Sequence, residues 1–173
     1  RSPETVVHCR RACRYAIMIG ERLGVPKPTL EALLQAGLVY DLGMIMVPDA
    51  VLQKPDILTE AERAIVRAHV EWGLKMLNGI DVVPGVRELM AQHHERWDGQ
   101  GYPKGLAGEA IALGARILSV ADAVDAMTSD RAYRRALPHE VAIGEIERRV
   151  GTQFDPELAD AFVRLLDAYR AGM

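Results

Sequence analysis

Cysteine is scarce in this 173-residue chain, which has two, Cys9 and Cys13, four apart on a predicted helix. Helical geometry points both the same way but suits a disulfide poorly, and so small a count excludes a disulfide framework. A zinc role would need further thiolates or histidines close by. The reading is therefore a pair of small reduced core residues, as expected of a cytoplasmic protein. An excess of basic charge is lacking as well: Lys and Arg total 21 against 24 Asp and Glu, for a net charge of −3. That excludes general nucleic-acid binding, which needs a basic stripe. No apolar run reaches membrane-spanning length and no signal peptide is visible. Strand alternation, internal repeats and low-complexity segments are missing too, which leaves an all-α architecture.

What is present is an ordinary globular balance, 49% hydrophobic and 26% charged, in a chain long enough for one domain with a real core. Residues 1–173 read as that domain. The chain opens on Arg1 and enters a helical pattern almost at once, so it is expected to be the later part of a longer polypeptide. The first helix is predicted from Ser2-Pro3 to about Leu23, where Gly24 and Pro26 stop it. A second follows Pro28-Thr29 and ends in Tyr40-Asp41-Leu42-Gly43-Met44. After a turn around Lys54-Pro55-Asp56, Thr59 and Glu62 form a capping-box pattern that starts a helix running through Met76. Helices are further predicted from about Val86 to Glu95, Ala112 to Ser129, Pro138 to near Gly151, and from Pro156 through Tyr169. The stretch from Arg96 to Glu109 is a long glycine-rich loop, a type that is more often functional than not.

Candidate metal ligands fall on, or at the ends of, these helices: Glu4, His8, Asp41, His69, His93, His94 and Asp122. Imidazole and carboxylate suit borderline and hard divalent cations, provided that they converge from different elements. Glu4 and His8 lie one turn apart and fit one site flanked by a single helix. His93 and His94 are adjacent, so on a helix they point about a hundred degrees apart and are expected to serve different ions rather than chelate one. Each residue also has a plainer reading. A single histidine on a helix is most often satisfied by a cap or by solvent, and Asp122, taken alone, has Arg116 as an ion-pair partner. Spacing by itself does not prove convergence.

The run His93-His94-Glu95-Arg96-Trp97-Asp98-Gly99-Gln100-Gly101-Tyr102-Pro103 resembles the signature loop of HD-GYP domains, a branch of the HD metal-dependent phosphohydrolases. Val47-Pro48-Asp49, Leu113-Gly114-Ala115-Arg116-Ile117, the stretch from Ala121 to Arg131, and Gly151-Thr152-Gln153-Phe154-Asp155-Pro156 look like the same family, in the same order. The resemblance covers nearly the whole chain. It implies an HD-type helical bundle with two or three divalent metals, often iron or manganese, and hydrolysis of cyclic di-GMP or a related nucleotide. It also implies an upstream sensor or receiver domain and a diguanylate cyclase as a partner meeting the GYP loop; a homodimer through an exposed apolar face is compatible with the pattern. Carried over, Asp41 bridges two metals and their hydroxide, His69 and His93 complete one site, Asp122 and His8 serve another, and Glu4 and His94 attend a third. Arg131 and Arg134 fall where the family contacts the nucleotide, as planar guanidinium groups suit; their plainer reading is a solvated basic patch. Gly99 and Gly101 permit the tight loop, and Tyr102 is placed to stack on the ligand or to anchor the loop.

The chain departs from that family at two neighbouring positions. Tyr40 stands where the namesake histidine would precede Asp41, and Met44 stands where the family carries a lysine. A phenol with an ordinary pKa near 10 is a poor ligand for divalent ions. Losing one preorganised positive donor typically costs about a hundred- to a thousandfold in rate. The expectation is a weakened or inactive phosphodiesterase, and the alternative is a non-catalytic signalling module that keeps metal or nucleotide and a protein partner.

Overall fold

The structure is a computed structural model describing residues 3–130 and 135–171, with side chains for 6–130 and 135–164. Among these residues every extended element is helical: α1 (Pro3–Arg22), α2 (Lys27–Val39), α3 (Asp49–Leu52), α4 (Glu60–Arg67), α5 (His69–Met76), α6 (Val86–Gln92), α7 (Leu113–Thr128), α8 (His139–Glu147) and α9 (Pro156–Ala171). Short 3-10 turns cover Leu42–Met46 and Gly108–Ala110. The all-α expectation holds.

The core lies where α1 packs on α2 and α7, with α6 and α9 closing it. Its inner faces carry Ala12, Ala16 and Ile19 from α1, Leu33 and Ala36 from α2, and Leu118, Ala121 and Val124 from α7, all buried. Small residues let α1 and α2 approach closely: a Cβ on Gly37 would stand 2.9 Å from that of Cys13. Cys9 and Cys13 are free and buried, as expected. Phe162 of α9 meets Tyr15 edge to face at 6.2 Å, and full burial of such a ring stabilises by about 1.5–3 kcal/mol.

Thr59 caps α4 with the reciprocal Glu62 contact that the sequence pattern predicts. The helix expected to run on through Met76 is instead divided at Ala68, whose ψ relaxes to −12°. There the Ala68 N–H still reaches the Ala64 carbonyl at 3.1 Å, while His69 Nδ1 donates to the Val66 carbonyl, so a side chain takes up a backbone acceptor at the break. The helix expected to reach Glu95 stops at Gln92, and α8 stops at Glu147 rather than near Gly151. The stretch Lys27–Met46 is long and apolar enough, by composition, to cross a membrane, unlike the expectation from the sequence. It is not one straight helix: α2 ends at Val39 and the chain tightens into the Leu42–Met46 turn. Gly43 lets that turn pack against α5, because a Cβ there would run into the carbonyl oxygen of His69.

Candidate metal centre

The breaks in the helices gather the polar residues. Asp41 precedes the Leu42–Met46 turn, His69 opens α5, His93 and His94 follow the end of α6, and His8 and Asp122 project from α1 and α7. Asp41, His69, His93 and His94 each offer one ligand atom, all within 4.8 Å of one another. His8, Asp41 and Asp122 form a second such group, with Asp41 common to both. Adjacent His93 and His94 therefore do converge on one place. The expectation that they point apart assumed a helix through Glu95; with α6 ended at Gln92, the rings lie 4.0 Å apart, centroid to centroid. Asp122 does not pair with Arg116, which reaches Asp155 instead, at 2.5 Å. The side chain of Glu4 lies outside the described residues, as do Arg131 and Arg134.

The chemistry of the first group is decided by its backbone contacts. His69 Nδ1 donates to the carbonyl of Val66 at 2.7 Å, and His93 Nδ1 to that of Met90 at 2.8 Å. A carbonyl only accepts, so the proton of each neutral ring sits on Nδ1 and the lone pair on Nε2. Burial holds both rings below the ordinary imidazole value, His93 well below it, with the neighbouring His94 and His69 pushing His93 the same way. His94 is lowered to about 3, by burial first and then by His69. The two Nε2 atoms nevertheless face each other at 3.4 Å, with Asp41 Oδ1 3.4 Å from that of His69. Acceptors facing one another with no proton to share are unfavourable in a buried place unless a cation joins them. This donor set fits a divalent ion.

The second group is closed in a different way. His8 Nδ1 donates to Asp125 at 2.6 Å, and Asp125 is itself gripped by Arg11 through Nε and Nη2. His8 Nε2 lies 2.9 Å from Asp122 Oδ1. Burial opposes charge on His8, but hydrogen bonds to Asp122 and Asp125 and the fields of Asp122 and Asp41 outweigh it and raise the ring to about 9. Tyr40 is fully buried beside this pair. Its hydroxyl donates to Asp122 Oδ1 at 2.7 Å and lies 2.9 Å from His8 Nε2. Burial first, then the charges of Asp122 and Asp41, keep the phenol protonated far above its usual range. Tyr40 thus takes up the same ligand atoms that a cation would need. Met44 sits half-buried in the 3-10 turn, which carries no charged residue at all.

The glycine-rich loop is fastened beside the first group. The buried Glu95 carboxylate accepts from the amides of Lys104 and Leu106 at 2.7 and 2.9 Å. Gly99 takes a φ of +76°, and a Cβ on Gly101 would lie 2.6 Å from the carbonyl oxygen of His94. Tyr102, followed by a cis peptide to Pro103, stacks on the His94 ring with centroids 4.7 Å apart. A cavity of about 330 Å³ opens over this floor, lined by His93, His94, Asp122, Tyr102, Arg67 and their neighbours.

A family model described as an HD domain matches residues 1–158. The chain belongs to the HD-domain family. Relatives named as cyclic di-GMP phosphodiesterases support the HD-GYP branch. The cyclic di-GMP phosphodiesterase response regulator RpfG of Xanthomonas campestris is 39% identical over 95% of this chain and 44% of its own length. A cyclic di-GMP phosphodiesterase of Thermotoga maritima is 36% identical over 98% of this chain and 48% of its own. The 3'3'-cGAMP-specific phosphodiesterase 2 of Vibrio cholerae is 32% identical over 99% of this chain and 33% of its own. The chain thus spans less than half the length of these relatives. Among solved structures, the fold matches the HDG"Y"P protein Bd1817 of Bdellovibrio bacteriovorus with a TM-score of 0.74, at 22% identity over 94% of this HD domain and 52% of that chain.

Four residues of the site carry no ligand signal in the sequence. Asp125 is one helical turn from Asp122, a spacing that puts both on one face, yet only the fold brings His8 between them. Glu95 directly follows the paired histidines, but a glutamate beside a loop gives no sign that it will be buried. Arg11 and Arg67 look like ordinary surface cations until the helices are assembled.

Proposed function

We propose that this domain holds a divalent metal, iron or manganese, at Asp41, His69, His93 and His94. It engages cyclic di-GMP or a related cyclic dinucleotide and hydrolyses it weakly or not at all. The substrate class comes from the relatives, whose names make them phosphodiesterases for cyclic di-GMP or 3'3'-cGAMP. Fold alone does not transfer an activity, so the reading also rests on the acceptor-only set around His69 and His93. A divalent ion bound there supplies Lewis acidity toward a phosphodiester and lowers the pKa of water. The chain's own part is to present neutral imidazoles and a carboxylate at fixed positions, and to seat the nucleotide in the cavity beside Tyr102.

The observation that carries the weakened reading is the Tyr40 hydroxyl between His8 and Asp122. It satisfies these groups without a cation, and a phenol held protonated is no substitute ligand. Met44 adds no positive charge beside the phosphate, where such a donor is worth about a hundred- to a thousandfold in rate.

The test compares the chain with the Tyr40→His/Met44→Lys double variant, measuring metal content and cyclic di-GMP turnover. The double variant is expected to hold more metal per chain and to turn over at least about a hundredfold faster. Turnover as fast in the unmodified chain as in the double variant would sink the weakened reading. A second reading, a non-catalytic module meeting a protein partner such as a diguanylate cyclase, is favoured by one feature. Pro103, Lys104 and Gly105 are exposed on a loop that Glu95 holds in shape. A double variant that, like the unmodified chain, shows no turnover would favour it.

A further inference from the structure

The floor of the cavity is formed by neutral imidazoles and by Asp122, so beyond a metal ion held there the chain's own positive partners for an anionic ligand lie at the rim. Among the described lining residues the cations are Arg67 and Arg96. Arg96 is occupied: its Nε and Nη2 bind the two oxygens of Asp98 at 3.0 and 2.6 Å. Arg67 closes α4 and is half-exposed. Its ion pair runs from Nη1 to Glu60 Oε1 at 3.7 Å, a length beyond a hydrogen bond. Glu60 is engaged more closely by Arg63, at 2.9 Å. Exposed pairs of this kind contribute little and exchange readily.

Arg67 is nonetheless aimed. Its guanidinium lies over the Tyr102 ring, 5.3 Å from the centroid, and Tyr102 in turn lies flat on His94. The stack runs from the solvent rim down to a residue of the first ligand group. A guanidinium held over an aromatic ring keeps N–H donors that the ring does not use, and their fork suits two phosphate oxygens at once.

We propose that Arg67, backed by Tyr102, grips a phosphate of the cyclic dinucleotide at the mouth of the cavity. This rests on the cyclic-dinucleotide reading given above. The Leu42–Met46 turn beside Asp41 carries no cation, so Arg67 supplies positive charge that the turn does not. It is a binding residue, selective for the charge and the paired oxygens of the phosphate rather than for the base.

The experiment is calorimetric titration of the chain with cyclic di-GMP and with 3'3'-cGAMP at several salt concentrations, beside Arg67→Gln, Arg67→Lys and, as a control for an exposed charge away from the cavity, Lys27→Gln. Loss of a charge-assisted contact predicts about a ten- to a hundredfold weaker Kd for Arg67→Gln. Its salt dependence should also be flatter, because one fewer charge contact is made. Arg67→Lys should fall between Arg67→Gln and the parent, and Lys27→Gln should match the parent. Equal affinity of Arg67→Gln and the parent overturns the role of Arg67 and leaves the nucleotide reading standing. A weaker Arg67→Gln whose salt dependence equals the parent's, with Arg67→Lys equally weak, overturns it too, since shape rather than charge was then lost. Failure of the parent chain to bind either nucleotide overturns both.

Discussion

Tyr40 donates its phenolic proton to Asp122 across 2.7 Å. The contact ties the end of α2 to the middle of α7 through the buried centre of the molecule. It fills with a hydrogen bond the position where two neighbouring ligand atoms would otherwise share a cation.

Tyr40→Phe removes that hydroxyl and little else. In chelator-treated protein the loss should cost about 1–3 kcal/mol, because Asp122 and His8 are left with fewer partners in a buried place. With metal present the change should reverse in sign, since a cation no longer competes with the phenol. Urea unfolding with chelator, and again with manganese, checks both halves; no change in either condition would remove Tyr40 from this role.

His8 should titrate far above a free imidazole in the metal-free chain. Its ring is raised to about 9, so the folded form binds the proton more tightly than the unfolded one. The resulting stability is full below an ordinary value of 6.5 and is lost as pH rises through about 9. Asp125→Asn should bring the His8 ring down toward the ordinary value and flatten the stability profile over that interval. Proton NMR of the imidazole follows the first effect and urea midpoints follow the second.

Glu95→Gln should loosen the loop without unfolding the bundle. The Lys104 and Leu106 amides lose a charged acceptor, which costs about 1.5–3 kcal/mol locally. Hydrogen exchange should quicken at those two amides while that of the α1 and α7 core stays slow. Unchanged protection at Lys104 and Leu106 would show that Glu95 does not hold the loop.

Gly43→Ala should damage metal binding and stability together. The added Cβ is driven onto the carbonyl oxygen of His69, and overpacking of this kind costs about 1–3 kcal/mol. The Leu42–Met46 turn must move off α5 and separate Asp41 from His69. Manganese affinity and thermal midpoint should both fall, whereas a variant with reduced stability and full affinity would show that the turn does not set that distance.

Much of the fold was legible in local chemistry. Helix stops at Gly24 and Pro26, the Thr59–Glu62 capping box and the Pro156 start act over a few residues, so they can be read in order along the chain. The ligand candidates His8, Asp41, His69, His93, His94 and Asp122 were likewise visible as residue types near helix ends. Their grouping was not. Whether His93 and His94 share an ion depends on α6 stopping at Gln92, and the break at Ala68 depends on the His69 side chain claiming the Val66 carbonyl.

The sequence by itself determined an all-helical chain of the HD-GYP pattern with Tyr40 and Met44 at altered positions, because periodicity, caps and motifs are local. Only the tertiary structure decided that the Tyr40 phenol lies between His8 and Asp122, that Asp125 and Arg11 hold His8 from behind, and that Arg67 stacks over Tyr102. Each of these contacts joins elements distant along the chain, and their geometry is set by how closely α1, α2 and α7 pack.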